Sequence, residues 1–173
     1  KTLFDDIEKH GGRAIMWKTG HSLIKQKMRL EKAELAGELS GHMFFSDRFL
    51  GFDDAIYASC RLIEILSKTG KRISDLLSDV PQTYSTPEIR VSCPDEKKFV
   101  VVAKVTDFFR QCHDVIDIDG VRVLFEDGWG LIRASNTQPA LVLRFEAMSE
   151  KRLAEIRELI ESALEKIKKD MSV

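Results

Sequence analysis

Apolar and polar positions follow two periods along this chain, and the pattern changes character near its middle. In "KTLFDDIEKHGG" Leu3, Phe4 and Ile7 form a helical stripe, with Thr2 as a cap and Gly11 and Gly12 as a stop. "RAIMWK" reads as a short buried strand, and "HSLIKQKMRLEKA" predicts a helix with Leu23, Ile24, Met28 and Leu30 inward. A strand "ELAGEL" runs straight into "SGHMFF". A long helix follows over 52–67, with Ile56, Cys60, Ile63 and Leu66 at helical spacing and Asp53 and Asp54 in the first turn, where the helix dipole favours them. Helix and strand in alternation predict an α/β domain, incomplete because its opening strands are missing.

The second half reads differently. Pro81, Ser85, Thr86 and Pro87 cluster in an extended connection, which places a boundary between residues 1–80 and 88–173 with 81–87 as linker. Beyond it come a strand "EIRVSC", a helix over 95–112, three short strands and a closing helix. In "ALVLRFEA" the residues Leu141, Leu143, Phe145 and Ala147 share one face, with Arg144 and Glu146 on the other. The closing helix carries Leu153, Ile156, Ile160, Ala163, Leu164 and Ile167 on one stripe, with Ser149 as cap and Lys168 and Lys169 at its end. This predicts an α+β domain whose antiparallel sheet is covered on one face by two helices. The fold class expected is therefore α/β plus α+β.

Composition narrows the partners. With 43% hydrophobic and 32% charged residues, the 173-residue chain is an ordinary globular sequence. A net charge of −1 supplies no overall field for nucleic acid or an anionic membrane, so any bound anion needs a local site. Cys60, Cys93 and Cys112 are far apart and odd in number, which points to buried reduced thiols in a cytoplasmic protein. No apolar run approaches the ~20 residues of a membrane helix. The opening stretch reads as an internal helix with no initiator methionine, as in a segment of a longer chain.

Three stretches could carry chemistry. In "RASNTQP", Arg133 offers a planar fork for phosphate or carboxylate, Ser135, Asn136 and Thr137 add donors, and a tight turn would gather backbone N–H groups into an anion nest. A plain polar hairpin connection explains the same residues. In "GELSGH", Glu38, Ser40 and His42 alternate, so an extended segment would turn all three to one side, where they could read sugar hydroxyls. A glycine-bounded strand end with solvated groups is the other reading. In "WKTGH", Lys18 and His21 stand at a strand end before a helix, a place where open α/β sheets bind ligands. "DIDG" lacks the further acidic ligands of a calcium loop and reads as a turn. No nucleophile with a partner base stands out.

Taken in order, "GELSGH", "FFSDRFLGFDDAIYASCRLIEILS", "STPEIRV", "DGVRV" and "GWGLIRASNTQP" resemble the carboxyl-terminal part of the alpha-D-phosphohexomutase superfamily, in its phosphomannomutase/phosphoglucomutase branch. The resemblance implies the latter part of domain 3 followed by domain 4, the latter of the TATA-binding-protein-like class. It implies a reversible conversion of hexose 6-phosphate and hexose 1-phosphate through a phosphoserine and a hexose 1,6-bisphosphate, with Mg2+ as cofactor. The serine loop and the Asp-rich magnesium loop of that family do not occur here, so the missing amino-terminal domains are implied partners and the chain alone is expected to be inactive. By resemblance Glu38 and Ser40 bind sugar hydroxyls, His42 takes part in proton transfer, His21 and Lys18 lie on the substrate side, and Arg133, Ser135, Asn136 and Thr137 grip the non-reacting phosphate. The "RASNT" loop favours mannose and glucose phosphates as ligands. A noncatalytic phosphosugar-binding module is the alternative.

Overall fold

The computed structural model describes residues 2–172 and divides into two compact units, Thr2–Val80 and the residues from Pro81 onward. The first unit contains α1 (Thr2–Lys9), α2 (His21–Glu31), β1 (Leu35–Gly37), β2 (Met43–Phe45), α3 (Ala55–Thr69) and a 3-10 turn at Ile73–Asp75. β1 and β2 are an antiparallel hairpin that pairs Leu35 with Phe45 and Gly37 with Met43. Phe44 points from it onto Ile24 and Met28 of α2, and these three side chains make the unit's buried cluster among the described residues.

Several expectations fail in this unit. "RAIMWK" is not a strand: it finds no ladder partner among the described residues, and a strand without a partner leaves its backbone groups to solvent. Leu23 and Leu30 are exposed, because α2 buries only the narrower stripe of Ile24 and Met28. α3 begins three residues later than predicted. Asp54 lies outside it as the N-cap, its side chain accepting from the Tyr57 N–H at 2.8 Å, while Asp53 accepts from the Met43 N–H at 3.3 Å. The apolar stripe of α3 is real but uncovered: it has no buried residue, and Ile63 is 63% exposed. Periodicity identifies an apolar face; whether anything packs on it is a tertiary fact.

The second unit contains β3 (Tyr84–Ser85), β4 (Ile89–Ser92), α4 (Asp95–Arg110), β5 (Val115–Ile116), β6 (Val121–Phe125), β7 (Gly128–Ala134), β8 (Ala140–Ala147) and α5 (Glu150–Asp170). All strand pairs are antiparallel, in the order β3, β8, β7, β6, β5, with β4 also on the outer edge of β8. The connection at 81–87 is itself partly sheet: Tyr84 and Ser85 pair with β8, and the Thr86 hydroxyl accepts from the Phe145 N–H at 3.2 Å.

The alternation in β8 sends Leu141, Leu143, Phe145 and Ala147 inward against Ile156, Ile160 and Leu164 of α5 and Val101, Val105 and Phe109 of α4. Burying each large aliphatic or aromatic side chain there contributes about 1.5–3 kcal/mol. Ser149 caps α5 by accepting from the Arg152 N–H at 3.2 Å. β7 carries glycine where α5 comes closest: a Cβ on Gly130 would lie 2.3 Å from Ile160 Cδ1 and 2.9 Å from the Phe145 ring. Cys93 is buried, and burial pushes its thiol up from the ordinary value; Cys60 and Cys112 are exposed, so the expectation of three buried thiols holds for one.

Candidate functional site

The segment from Glu38 to His42 is not extended. It is the turn of the β1–β2 hairpin, closed by Glu38 N–H to His42 O at 2.9 Å and Gly41 N–H to Glu38 O at 2.9 Å. Gly41 has φ of 92°, a conformation that any side chain would strain. The turn still brings the three predicted side chains together. Ser40 Oγ lies 2.8 Å from His42 Nδ1 and 3.4 Å from Glu38 Oε2, and His42 Nδ1 lies 3.3 Å from the same carboxylate oxygen. His21, at the start of α2, adds its Nε2 at 3.7 Å from Glu38 Oε2, and its ring meets those of His42 and Phe44 edge to face.

Glu38 is the fixed member of this group. Its side chain is 10% exposed, and its Oε1 accepts from the Gly20 N–H at 2.9 Å, which leaves Oε2 turned toward both histidines. The sequence did not single out Gly20 or Asp53. Asp53 Oδ2 stands 3.9 Å from His42 Nε2, on the far side of the ring. Lys18 is not brought into the group: it is exposed and makes no hydrogen bond or ion pair with the described residues.

The second predicted stretch closes β7 onto β8. Arg133 is half-buried on β7, directly opposite Val142, and its side chain has no hydrogen-bond or ion-pair partner among the described residues. Arg90 stands opposite Val142 on its other side, while Arg122 and Arg144 both flank the Leu131 position. Residues directly opposite, and those two apart on one strand, share a face. Four guanidinium groups therefore lie on the face away from Leu141 and Leu143. Arg122 lies over the Trp129 ring at 4.0 Å, and burial pushes its guanidinium down from the ordinary value, only partly offset by Glu146. Such a face attracts anions.

The loop itself is organised by Ser135, which is 7% exposed. Its Oγ accepts from the Thr137 N–H at 3.4 Å and the Gln138 N–H at 3.2 Å, and its own N–H donates to Ala140 O at 2.9 Å. The expected nest of free backbone donors is thus narrower than the sequence implied, since these N–H groups are engaged within the loop. Asn136 and Thr137 are exposed at its tip. Two braces were not foreseen. Lys98, 5% exposed on α4, donates to Gln138 O at 3.2 Å and pairs with Asp95 at 2.7 Å; Arg90 donates to the Gln138 side chain. Lys98 stands one turn ahead of Val101 and Val102 on the buried stripe of α4, a position where a lysine signals a tertiary partner. Gly120, with φ of 81°, supports Arg133: a Cβ there would sit 2.6 Å from Arg133 Cβ and 2.3 Å from Ile132 O.

Only His21, Glu38 and His42 gather potential metal-ligating atoms among the described residues, all within 4.8 Å of one another. Two imidazoles and one carboxylate do not suit Mg2+, which takes oxygen ligands. No helix among the described residues is long and apolar enough to cross a membrane.

Both regions have counterparts in known proteins. Residues 1–84 match "Phosphoglucomutase/phosphomannomutase, alpha/beta/alpha domain III", and residues 88–163 match "Phosphoglucomutase/phosphomannomutase, C-terminal domain". A phosphomannomutase/phosphoglucomutase of Pseudomonas putida is 49% identical over 168 residues, covering 96% of this chain and 36% of that protein. A phosphoglucomutase of Neisseria gonorrhoeae is 46% identical over 162 residues, covering 92% and 35%. A solved phosphoglucomutase/phosphomannomutase family protein of Burkholderia thailandensis superposes with a TM-score of 0.81 at 44% identity, over 96% of this chain and 35% of that one. An N-acetylphosphoglucosamine mutase of Aspergillus fumigatus, in complex with glucose 1,6-bisphosphate, gives a TM-score of 0.62 at 16% identity, over 92% of this chain and 35% of that one, and shares the fold. The chain thus spans about a third of the length of the relatives it matches, and it belongs to the phosphoglucomutase/phosphomannomutase family, matching the models of its third and carboxyl-terminal domains.

Proposed function

We propose that this chain supplies the sugar-reading and phosphate-gripping surfaces of a phosphohexomutase that interconverts hexose 6-phosphate and hexose 1-phosphate. The observation that carries this is the convergence of Glu38, Ser40 and His42 in the hairpin turn, in a chain that belongs to this family. Residues 1–80 then act as the domain 3 portion, 81–87 as the connection and 88–173 as domain 4.

Each role follows from the chemistry of the side chain. Glu38 Oε2, with Oε1 occupied by the Gly20 N–H, accepts from a ring hydroxyl. Ser40 can both donate and accept, which suits a hydroxyl whose orientation changes between two phosphate isomers. His42, with Asp53 behind its Nε2, can take a proton from a sugar hydroxyl as it attacks phosphorus and return it when the phosphoryl group leaves. His21 extends this group of donors; Lys18 would join only as a solvent-side charge. Arg133 offers a bidentate contact to the phosphate that does not react, with Asn136 and Thr137 as further donors and Ser135 shaping the loop. Each anchor, by restraining the substrate group it holds, lowers the entropy still to be lost at the transition state.

The phosphoryl donor in this reading is a phosphoserine outside the chain, and a hexose 1,6-bisphosphate is the intermediate that turns round. In the same reading Mg2+ is held by residues outside the chain; the His21, Glu38 and His42 group, with two imidazoles, suits it poorly. The three cysteines, none in a disulfide, support a cytoplasmic setting.

The test is a coupled assay of the protein's full reading frame with mannose 1-phosphate and glucose 1-phosphate. Turnover of either, lost on Glu38→Gln, is the expected result. No turnover with either sugar, in a protein that still binds both, would leave a noncatalytic sugar-phosphate binder instead.

A further inference from the structure

Glu38 presents a difficulty that the sugar-reading role does not remove. Its carboxylate is nearly buried, yet no arginine or lysine among the described residues pairs with it; the groups facing Oε2 are the imidazoles of His21 and His42 and the Ser40 hydroxyl. Burying a carboxylate is costly unless a cation or several donors compensate it. The two His-to-Glu38 separations, 3.3 and 3.7 Å, exceed an ordinary hydrogen bond. They lie close to the edge length of a metal coordination shell instead. Ligand bonds of about 2.0–2.2 Å at tetrahedral angles place neighbouring ligand atoms roughly 3.3–3.6 Å apart.

We propose that His21, Glu38 and His42 form a binding site for a borderline transition cation of the Zn2+ class, and that this cation competes with sugar hydroxyls for the same side chains. The second clause rests on the proposed function; the first does not. Each of the three offers one ligand atom within 4.8 Å of the others, and His21 Nε2 and His42 Nδ1 are the nitrogens that approach Glu38 Oε2, at 3.7 and 3.3 Å. Two imidazoles and a carboxylate with an open fourth position suit Zn2+, and the same donors are poor for Mg2+.

The surroundings supply what metal ligands need behind them. Coordination at His42 Nδ1 puts the ring proton on Nε2, which faces Asp53 Oδ2 at 3.9 Å; a carboxylate behind a ligating histidine fixes its ring and raises its basicity. Ser40, now 2.8 Å from Nδ1, gives up that contact and turns to Glu38 Oε2, already within 3.4 Å. Glu38 Oε1 stays anchored on the Gly20 N–H. The site is half-open, since His21 and His42 are each close to half exposed, so a cation can enter without unfolding the hairpin. The consequence is an enzyme surface that a transition cation silences by occupying the hydroxyl-reading groups, at a place remote in kind from any magnesium loop.

The experiment is calorimetric titration of the chain with Zn2+ alone, in a Cys60→Ser, Cys112→Ser background that removes the two exposed thiols as competing ligands. The expected result is one bound Zn2+ per chain, weakened at least about tenfold by His21→Asn and by His42→Asn, the loss typical when a metal's immediate surroundings are altered. His10→Asn, in the turn after α1, leaves it unchanged. Both ring replacements are on exposed side chains, and far-ultraviolet circular dichroism checks that they keep the fold. Titrating with Co2+ in place of Zn2+ should give the intense visible bands of a four-coordinate site. No Zn2+ binding in the background chain, or binding that both replacements leave intact, would overturn the site. A second titration adds saturating mannose 6-phosphate, expected to weaken Zn2+ binding at least about tenfold, as an occupied ligand set would. Unaltered Zn2+ affinity in a protein shown to hold the sugar phosphate would overturn the competition. Zn2+ binding with no sugar-phosphate binding would uphold the metal site and sink the proposed function.

Discussion

From Pro81 onward, sixteen buried side chains pack between a sheet and two helices; in Thr2–Val80, three do so among the described residues. The two units also hold their functional loops by different means. The loop at Ser135 hangs from two long strands and is braced from the core side by Lys98. The loop at Glu38 joins two three-residue strands and relies on its own hydrogen bonds, with the Gly20 N–H as its outside anchor. Around it the first unit is laced with surface ion pairs: Arg61 with Asp47 at 2.8 Å, Arg48 with Glu64 at 2.7 Å and Arg13 with Glu31 at 2.7 Å. Solvent-screened pairs of this kind contribute far less than the buried side chains of the second unit. Arg133, the proposed phosphate grip, thus sits on a stiff frame, and the proposed hydroxyl-reading group around Glu38 on a soft one.

Leu143→Ala strikes the stiff frame hardest. The side chain is fully buried between sheet and helices, and its loss should cost about 2–5 kcal/mol. Ile63→Ala, on the uncovered stripe of α3, should stay within about 0.5 kcal/mol, the range of ordinary surface substitutions. Urea midpoints of the two variants decide this; equal losses would erase the contrast between the units.

Arg133→Ala should leave stability nearly unchanged and weaken hexose-phosphate binding by about 1.5–3 kcal/mol, the worth of a charge-assisted hydrogen-bond set. Calorimetry with mannose 6-phosphate reads the effect, and an unchanged affinity would remove Arg133 from the site. Gly130→Ala works through geometry instead. Its new methyl group would meet Ile160 and Phe145, so a cost of about 1–3 kcal/mol is expected from overpacking. Thermal unfolding measures it; a stabilised variant would mean that α5 yields freely.

Acid should separate the units as well. Hydrogen bonds from Lys27 and Arg13 hold Glu31 at about 2, and those from Arg48 and Lys68 hold Glu64 at about 2, against an ordinary 4.5. Arg61 lowers Asp47 and Arg72 lowers Asp75. Folded values below the unfolded ones mean that this stability is present above about pH 4.5 and fades as the pH falls toward 2. All four groups lie in the first unit, whereas the apolar contacts of the second do not titrate. Trp17 reports on the first unit and Trp129 on the second, so thermal melts of Trp129→Phe and Trp17→Phe variants across that window should show the first unit loosening sooner. Coincident loss in both would contradict the assignment.

The same contrast decided what the sequence could reveal. β8 and α5 were legible residue by residue because their periods face one closed core, from Leu141 to Ile167. The α3 stripe was equally regular and misleading, since regularity says which side is apolar and not what covers it. Glu38, Ser40 and His42 were chosen for sharing a side in an extended segment. They meet because the segment turns, so the proximity holds for a different reason than the alternation implied. Gly20, Asp53, Lys98 and Gly120 act through partners distant in sequence, which no local pattern encodes. Lys18 stands at a strand end only if "RAIMWK" is a strand; without that strand its substrate-side place rests on the resemblance alone.

The most direct test of the account is a titration of the isotope-labelled chain with mannose 6-phosphate, followed through the backbone amide resonances. The account predicts saturable shifts in both loops, residues 38–42 and 133–138, with the shifts of the second loop abolished by Arg133→Ala and those of the first by Glu38→Gln. Saturation that leaves either loop unmoved would contradict it.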